Sequence, residues 1–128
     1  AISSRNKMAK GPILLLEDSP DLRVLLERYL TRAGYEVLSA EDAVEAGKLV
    51  VARSPQLIIA DIQLPYMSGD EFVAALRADP AVRDIPVIFL SVDARLEAHA
   101  KRLGAVAYFD KSVSAERLVE VVDFYTAG

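Results

Sequence analysis

Residues 57–61 read Leu-Ile-Ile-Ala-Asp, and these five positions decide the fold. Leu57–Ala60 is apolar without alternation, the pattern of a strand covered on both faces, and such a strand needs a layer of helix on each side. The run stops at a carboxylate, Asp61, and enters a loop containing Pro65 and Gly69. Ser68 and Glu71 then form a capping box for a helix carrying Phe72, Val73 and Leu76.

The same rhythm runs outward in both directions. Upstream, Ile13–Leu16 ends in Glu17 and Asp18, and Ser19 is placed to cap a helix with Pro20 at its first position. Leu22, Leu25, Leu26, Tyr29, Leu30 and Ala33 recur at three- and four-residue steps as one buried stripe, closed by Gly34. A second strand, Tyr35–Leu38, precedes a weaker helix from about Glu41 to Arg53, with a narrow small-residue face at Ala43, Gly47 and Val50. Downstream, Val87–Leu90 leads to a helix with Leu96, Ala100 and Leu103, stopped by Gly104. Val106–Phe109 is the last strand, and Leu118, Val121, Val122 and Tyr125 mark the closing helix. Strand–helix units in this repetition imply an α/β fold, a doubly wound five-stranded parallel sheet. Right-handed crossovers leave 2-1-3-4-5 as the natural strand order.

Composition narrows the function. A chain of 128 residues is the size of one domain, here read as 12–128 after a flexible N-terminal segment, 1–11. That segment holds Arg5, Lys7 and Lys10 without an apolar centre, so it is not a secretory signal. The net charge of −4 argues against direct nucleic acid binding, which needs a clustered basic surface. Without cysteine there are no disulfides or thiolate metal sites, and the apolar runs are too short to span a membrane. A cytoplasmic protein without membrane attachment is the expectation.

In sheets of this kind the ligand site lies beyond the carboxyl ends of the strands, at the switch in strand order. Those ends carry Glu17 and Asp18 after the first strand, Asp61 after the third, Ser91 after the fourth and Lys111 after the fifth. The second strand, which carries nothing reactive, falls at the sheet edge. Alone, each residue has a plain structural role as a cap, a turn or a solvated charge; their joint placement on four neighbouring strands is what points to chemistry. Converging carboxylates repel unless a cation sits among them. An oxygen-only ligand set selects a hard ion, and Mg2+ fits because it takes one or two carboxylates and then a phosphate oxygen. Lys111 and the Ser91 hydroxyl can bind phosphoryl oxygens, and an aspartate can act as nucleophile to form an aspartyl phosphate. His99 lies on a helix among polar neighbours and has no metal partner at suitable spacing.

From about Pro12 to Thr126 the chain resembles a response-regulator receiver domain of the chemotaxis-receiver type. The resemblance rests on Leu16-Glu17-Asp18, on Asp61-Ile-Gln-Leu-Pro65-Tyr-Met67-Ser-Gly69, on Pro86-Val-Ile-Phe-Leu-Ser91 and on Gly104-Ala-Val-Ala-Tyr108-Phe-Asp-Lys111. It implies a flavodoxin-like (βα)5 fold and a two-component signalling role rather than a classical enzyme: the protein would catalyse only its own Mg2+-dependent phosphotransfer and dephosphorylation. It also implies that Asp61 is the phosphoacceptor, that Glu17, Asp18, Asp61 and the Gln63 backbone carbonyl bind the metal, and that Ser91 and Tyr108 form the switch pair beside the phosphate-binding Lys111. The phosphodonor would be a histidine kinase or histidine phosphotransfer protein. A downstream protein target would read the surface of the fourth helix, fifth strand and fifth helix, where His99, Lys101, Arg102 and Tyr108 are expected to sense the change.

Three positions depart from the family pattern. Val92 follows Ser91 where a smaller residue is common, which narrows access to the phosphoryl group. Val106 and Ala107 stand where many DNA-binding regulators carry acidic residues used in dimer salt bridges. Ser112 follows Lys111 where proline is usual. A cis bond to serine costs about 2.5–4 kcal/mol, so a trans Lys111–Ser112 bond is expected, with Lys111 less firmly held until an anion arrives. Two rival functions remain to be weighed. A haloacid-dehalogenase-like phosphatase needs a second carboxylate at position 63, which is Gln63. The other is a degenerate receiver that acts as a phosphorylation-independent protein-docking module.

Overall fold

The computed structural model describes residues 10–126. In chain order the elements are β1 (Lys10–Leu16), α1 (Pro20–Arg32), β2 (Tyr35–Ala40), α2 (Ala43–Arg53), β3 (Leu57–Ala60), α3 (Gly69–Arg77), β4 (Val87–Ser91), α4 (Leu96–Leu103), β5 (Ala107–Asp110) and α5 (Ala115–Thr126). All strand pairs are parallel and the order is β2-β1-β3-β4-β5, the 2-1-3-4-5 winding read from the sequence. β1 begins at Lys10, whose N–H donates to the Gly34 carbonyl at 2.7 Å, two residues ahead of Pro12, where the resemblance starts. The rest of the segment read as flexible, residues 1–9, lies outside the described residues.

Two cores follow from strand alternation. Leu14, Leu16, Ile58, Ala60, Val87 and Phe89 point to one face, where Phe72, Leu76, Ala100 and Leu103 pack on them. Ile13, Leu15, Leu57, Ile59, Ile88 and Leu90 point to the other, beneath Leu26, Leu30, Leu118 and Val122. Each residue of β3 is 0–1% exposed, and burying such side chains stabilises the fold by about 1.5–3 kcal/mol apiece for the larger ones.

The ends of the helices set the loops around the carboxyl edge of the sheet. Glu71 reaches back to the Ser68 N–H at 3.1 Å, as the capping pattern predicts. Asp42 caps α2 by accepting from the Glu45 N–H at 2.9 Å, so that helix starts at Ala43 rather than Glu41. Ser19 departs from expectation. It occupies the N-cap of α1 ahead of Pro20, but its hydroxyl makes no capping bond; its N–H instead donates to Glu17 Oε2 at 3.0 Å. One glycine is sterically required: a Cβ on Gly69 would lie 1.8 Å from the Asp61 carbonyl oxygen, so α3 starts against the backbone of β3's last step.

Candidate functional site

Register decides which strand-end residues meet. Leu16 pairs with Ala60, so Glu17 and Asp61 leave adjacent strands side by side, and the Asp61 N–H donates to the Leu16 carbonyl at 3.0 Å. Ser91 pairs with Asp110 across β4 and β5, which puts Lys111 one step beyond the same edge. Among the described residues, the buried polar or charged ones are Glu17, Asp61 and Ser91, at 1%, 2% and 0% exposure. All three belong to the site foreseen from the strand ends.

Glu17, Asp18 and Asp61 each bring a carboxylate oxygen within 4.8 Å of the others, with Asp18 the exposed member. Lys111 Nζ lies 2.6 Å from Asp61 Oδ2 and 3.1 Å from Glu17 Oε2. Burial pushes the Glu17 carboxyl above its usual range and the neighbouring Asp61 charge adds to this, against the opposing pull of the Ser19 N–H and Lys111. Burial acts to lower the Lys111 pKa, but the bonds to Asp61 and Glu17 outweigh it and hold the ammonium above its ordinary value. The lysine therefore stays charged and compensates two buried carboxylates, whose mutual repulsion would otherwise favour protonation.

The surrounding groups orient this core. The Gln63 N–H donates to Asp61 Oδ1 at 3.1 Å, so the start of the β3–α3 loop folds over the aspartate. The Gln63 side chain itself is exposed. Arg23, on α1, donates to the Glu17 carbonyl at 2.9 Å. The Ser91 hydroxyl accepts from the Asp93 N–H at 3.2 Å, tying the end of β4 to the loop before α4. Tyr108 lies on β5 opposite Phe89, with its side chain toward the surface at 38% exposure.

Two expectations about the lysine separate here. No cis peptide bond occurs among the described residues, so Lys111–Ser112 is trans. The trans loop does not leave Lys111 loosely held: its ammonium already spans Asp61 and Glu17, because two buried carboxylates attract it without any phosphoryl group. The supporting contacts from Arg23, Ser19 and Asp93 were not foreseen. All three use a backbone group, which carries no residue-type signal, and Arg23 looks from sequence like any charged residue on a helix surface. The donor set fits a hard divalent cation: oxygen ligands only, one of them open to solvent, beside a lysine that can yield one carboxylate oxygen.

Residues 13–123 match the family described as response regulator receiver domain. The chain is 35% identical over 127 residues to hybrid signal transduction histidine kinase D of Dictyostelium discoideum, covering 97% of this chain but only 8% of that protein. It is 35% identical over 116 residues to the polar-differentiation response regulator DivK of Brucella anthropi, covering 88% of this chain and 94% of that one. Among solved structures, the signal receiver domain of a signal transduction histidine kinase from Syntrophus aciditrophicus superposes with a TM-score of 0.84 at 31% identity, over 92% of this chain and 91% of that one. No helix among the described residues is long and apolar enough to cross a membrane.

Proposed function

Because the chain belongs to the response regulator receiver domain family, we propose that Asp61 accepts a phosphoryl group from a histidine kinase or histidine phosphotransfer protein. The observation that carries this reading is the buried Asp61 carboxylate held 2.6 Å from Lys111 and grouped with Glu17 and Asp18. An Asp61 carboxylate oxygen attacks phosphorus, the P–N bond of the donor phosphohistidine breaks, and the imidazole leaves with that electron pair. Glu17, Asp18, Asp61 and the Gln63 carbonyl would hold Mg2+, which supplies charge neutralisation for the phosphoryl oxygens. Lys111 then moves its charge from the free carboxylate to a phosphoryl oxygen, and the Ser91 hydroxyl donates to another. Ser91 is anchored to Asp93 at the entrance to α4, so its reorientation reaches the surface formed by α4, β5 and α5. Tyr108, standing outward on β5, is the residue able to turn in behind it.

The test is mass spectrometry after incubation with acetyl phosphate and Mg2+. A stable adduct of one phosphoryl group on the peptide containing Asp61 supports the reading. Absence of an adduct favours the phosphorylation-independent docking module, and continuous release of phosphate from esters would favour a phosphatase.

A further inference from the structure

α4 is a short helix with a narrow apolar contact, Leu96, Ala100 and Leu103 packing on the core. Only Ala100 and Leu103 of its eight residues are buried, and its N-cap residue, Arg95, makes no side-chain capping bond. At its C-terminal end the Arg77 guanidinium of α3 grips the chain, donating to the Leu103 carbonyl at 2.9 Å and to the Ile85 carbonyl at 2.8 Å. From the middle and last turn of the helix a second set of contacts returns to α3. Asp70 Oδ2 lies 3.6 Å from His99 Nδ1 and 3.7 Å from Arg102 Nη2, and Arg102 Nη2 lies 3.0 Å from His99 Nδ1. A guanidinium has no acceptor, so His99 Nδ1 meets Arg102 through a lone pair in one tautomer and meets Asp70 through an N–H in the other, and the remaining ring nitrogen is Nε2. That Nε2 is buried and finds no hydrogen-bond partner among the described residues. The cluster thus joins α4 to α3 while leaving one ring nitrogen unsatisfied, and a shift of α4 is a way for that nitrogen to find a partner.

Both ends of the cluster connect to the phosphoacceptor. Asp70 follows Gly69, whose N–H donates to the Ile62 carbonyl at 2.8 Å and which has no room for a side chain against Asp61. His99 lies on the helix entered through Asp93, whose N–H donates to Ser91. We propose that Asp70, His99 and Arg102 form an autoinhibitory clasp that holds α4 in its resting position against α3 and opposes the response to phosphorylation. This rests on the reading of Asp61 as phosphoacceptor and adds to it a restraint that sets the switching equilibrium. Arg77 pins the last residue of α4, and the contacts at 3.6 and 3.7 Å, longer than hydrogen bonds, are the ones a small rotation of the helix breaks. A ligand at Asp61 must work against any contact made only in the resting state, so removing the clasp raises the apparent affinity for that ligand.

The test titrates the 15N-labelled full chain with beryllofluoride in Mg2+, for the wild type and for Arg102→Gln, Asp70→Asn and His99→Leu. Arg102 is half exposed, so its replacement leaves a folded protein even if the others do not. The expected result is about fivefold tighter binding of beryllofluoride in each variant, with α4 resonances already displaced toward their bound positions before titration. Unchanged or weaker binding in folded Arg102→Gln, with a normal wild-type response, overturns the clasp alone. A wild type that binds no beryllofluoride overturns the receiver reading beneath it.

Discussion

The two edges of the sheet are built to opposite ends. At the β2 edge, Tyr35, Leu38 and Ala40 are buried, and the Tyr35 hydroxyl donates to Asp123 at 2.5 Å and shares a 2.7 Å bond with Thr126, fastening the end of α5. Lys10 stacks over the same ring, its ammonium 4.8 Å from the centroid. At the β5 edge no residue of Ala107–Asp110 is fully buried, and Tyr108 faces outward with its hydroxyl toward the exposed Glu97 carboxylate of α4. The edge that carries no strand-end residues of the site is clamped by buried contacts, and the edge nearest Ser91 and Lys111 is the more exposed one. The response proposed for α4, β5 and α5 would draw on this more exposed edge, because an element that moves comes from the less stable part of a structure.

The largest effect should come from the centre, between the edges. Asp61→Asn is expected to abolish labelling by acetyl phosphate, since an amide cannot attack phosphorus, while the amide spectra of both edges stay as in the wild type. Labelling of the same peptide at the wild-type rate would remove the centre from the comparison. Next in size, Gly69→Ala forces a methyl group into the Asp61 backbone and should cost about 3 kcal/mol, read as a lower urea midpoint. A loss below about 0.5 kcal/mol would mean that the loop relaxes freely and that the centre is less rigid than described.

The edges themselves are compared by two milder changes. Tyr35→Phe deletes a hydroxyl bonded to Asp123 and Thr126 and should cost about 1–2 kcal/mol. Burial, followed by the bond to Asp123, pushes the Tyr35 pKa up from 10.0 to about 12. A group that binds its proton more tightly when folded contributes stability that is complete below its unfolded pKa. The wild type should therefore lose that contribution as pH rises from about 10 to about 12, and Tyr35→Phe should show a flatter profile over the same window. Tyr108→Leu, on the open edge, should change stability by less than about 0.5 kcal/mol. A cost equal to that of Tyr35→Phe would erase the distinction between the edges.

Much of this protein could be read from its sequence because the relevant signals are local. The unbroken Leu57–Ala60 run, the helical stripe from Leu22 to Ala33 and the Ser68–Glu71 cap each depend on neighbours a few residues apart. Period and turn chemistry act at that range, and they determined the order of elements, the winding and the list of strand-end residues. What needed the tertiary structure is the pairing of groups far apart in the chain. Lys111 reaches Glu17 and Asp61 ahead of any phosphoryl group because register Leu16–Ala60 sets two carboxylates side by side in a low-dielectric edge. Tyr35 finds Asp123, and His99 finds Asp70, only once helices from distant segments pack on common strands. A residue's type states what bonds it can make, but the distance that decides which bond forms, and how strongly burial amplifies it, exists only in the folded chain.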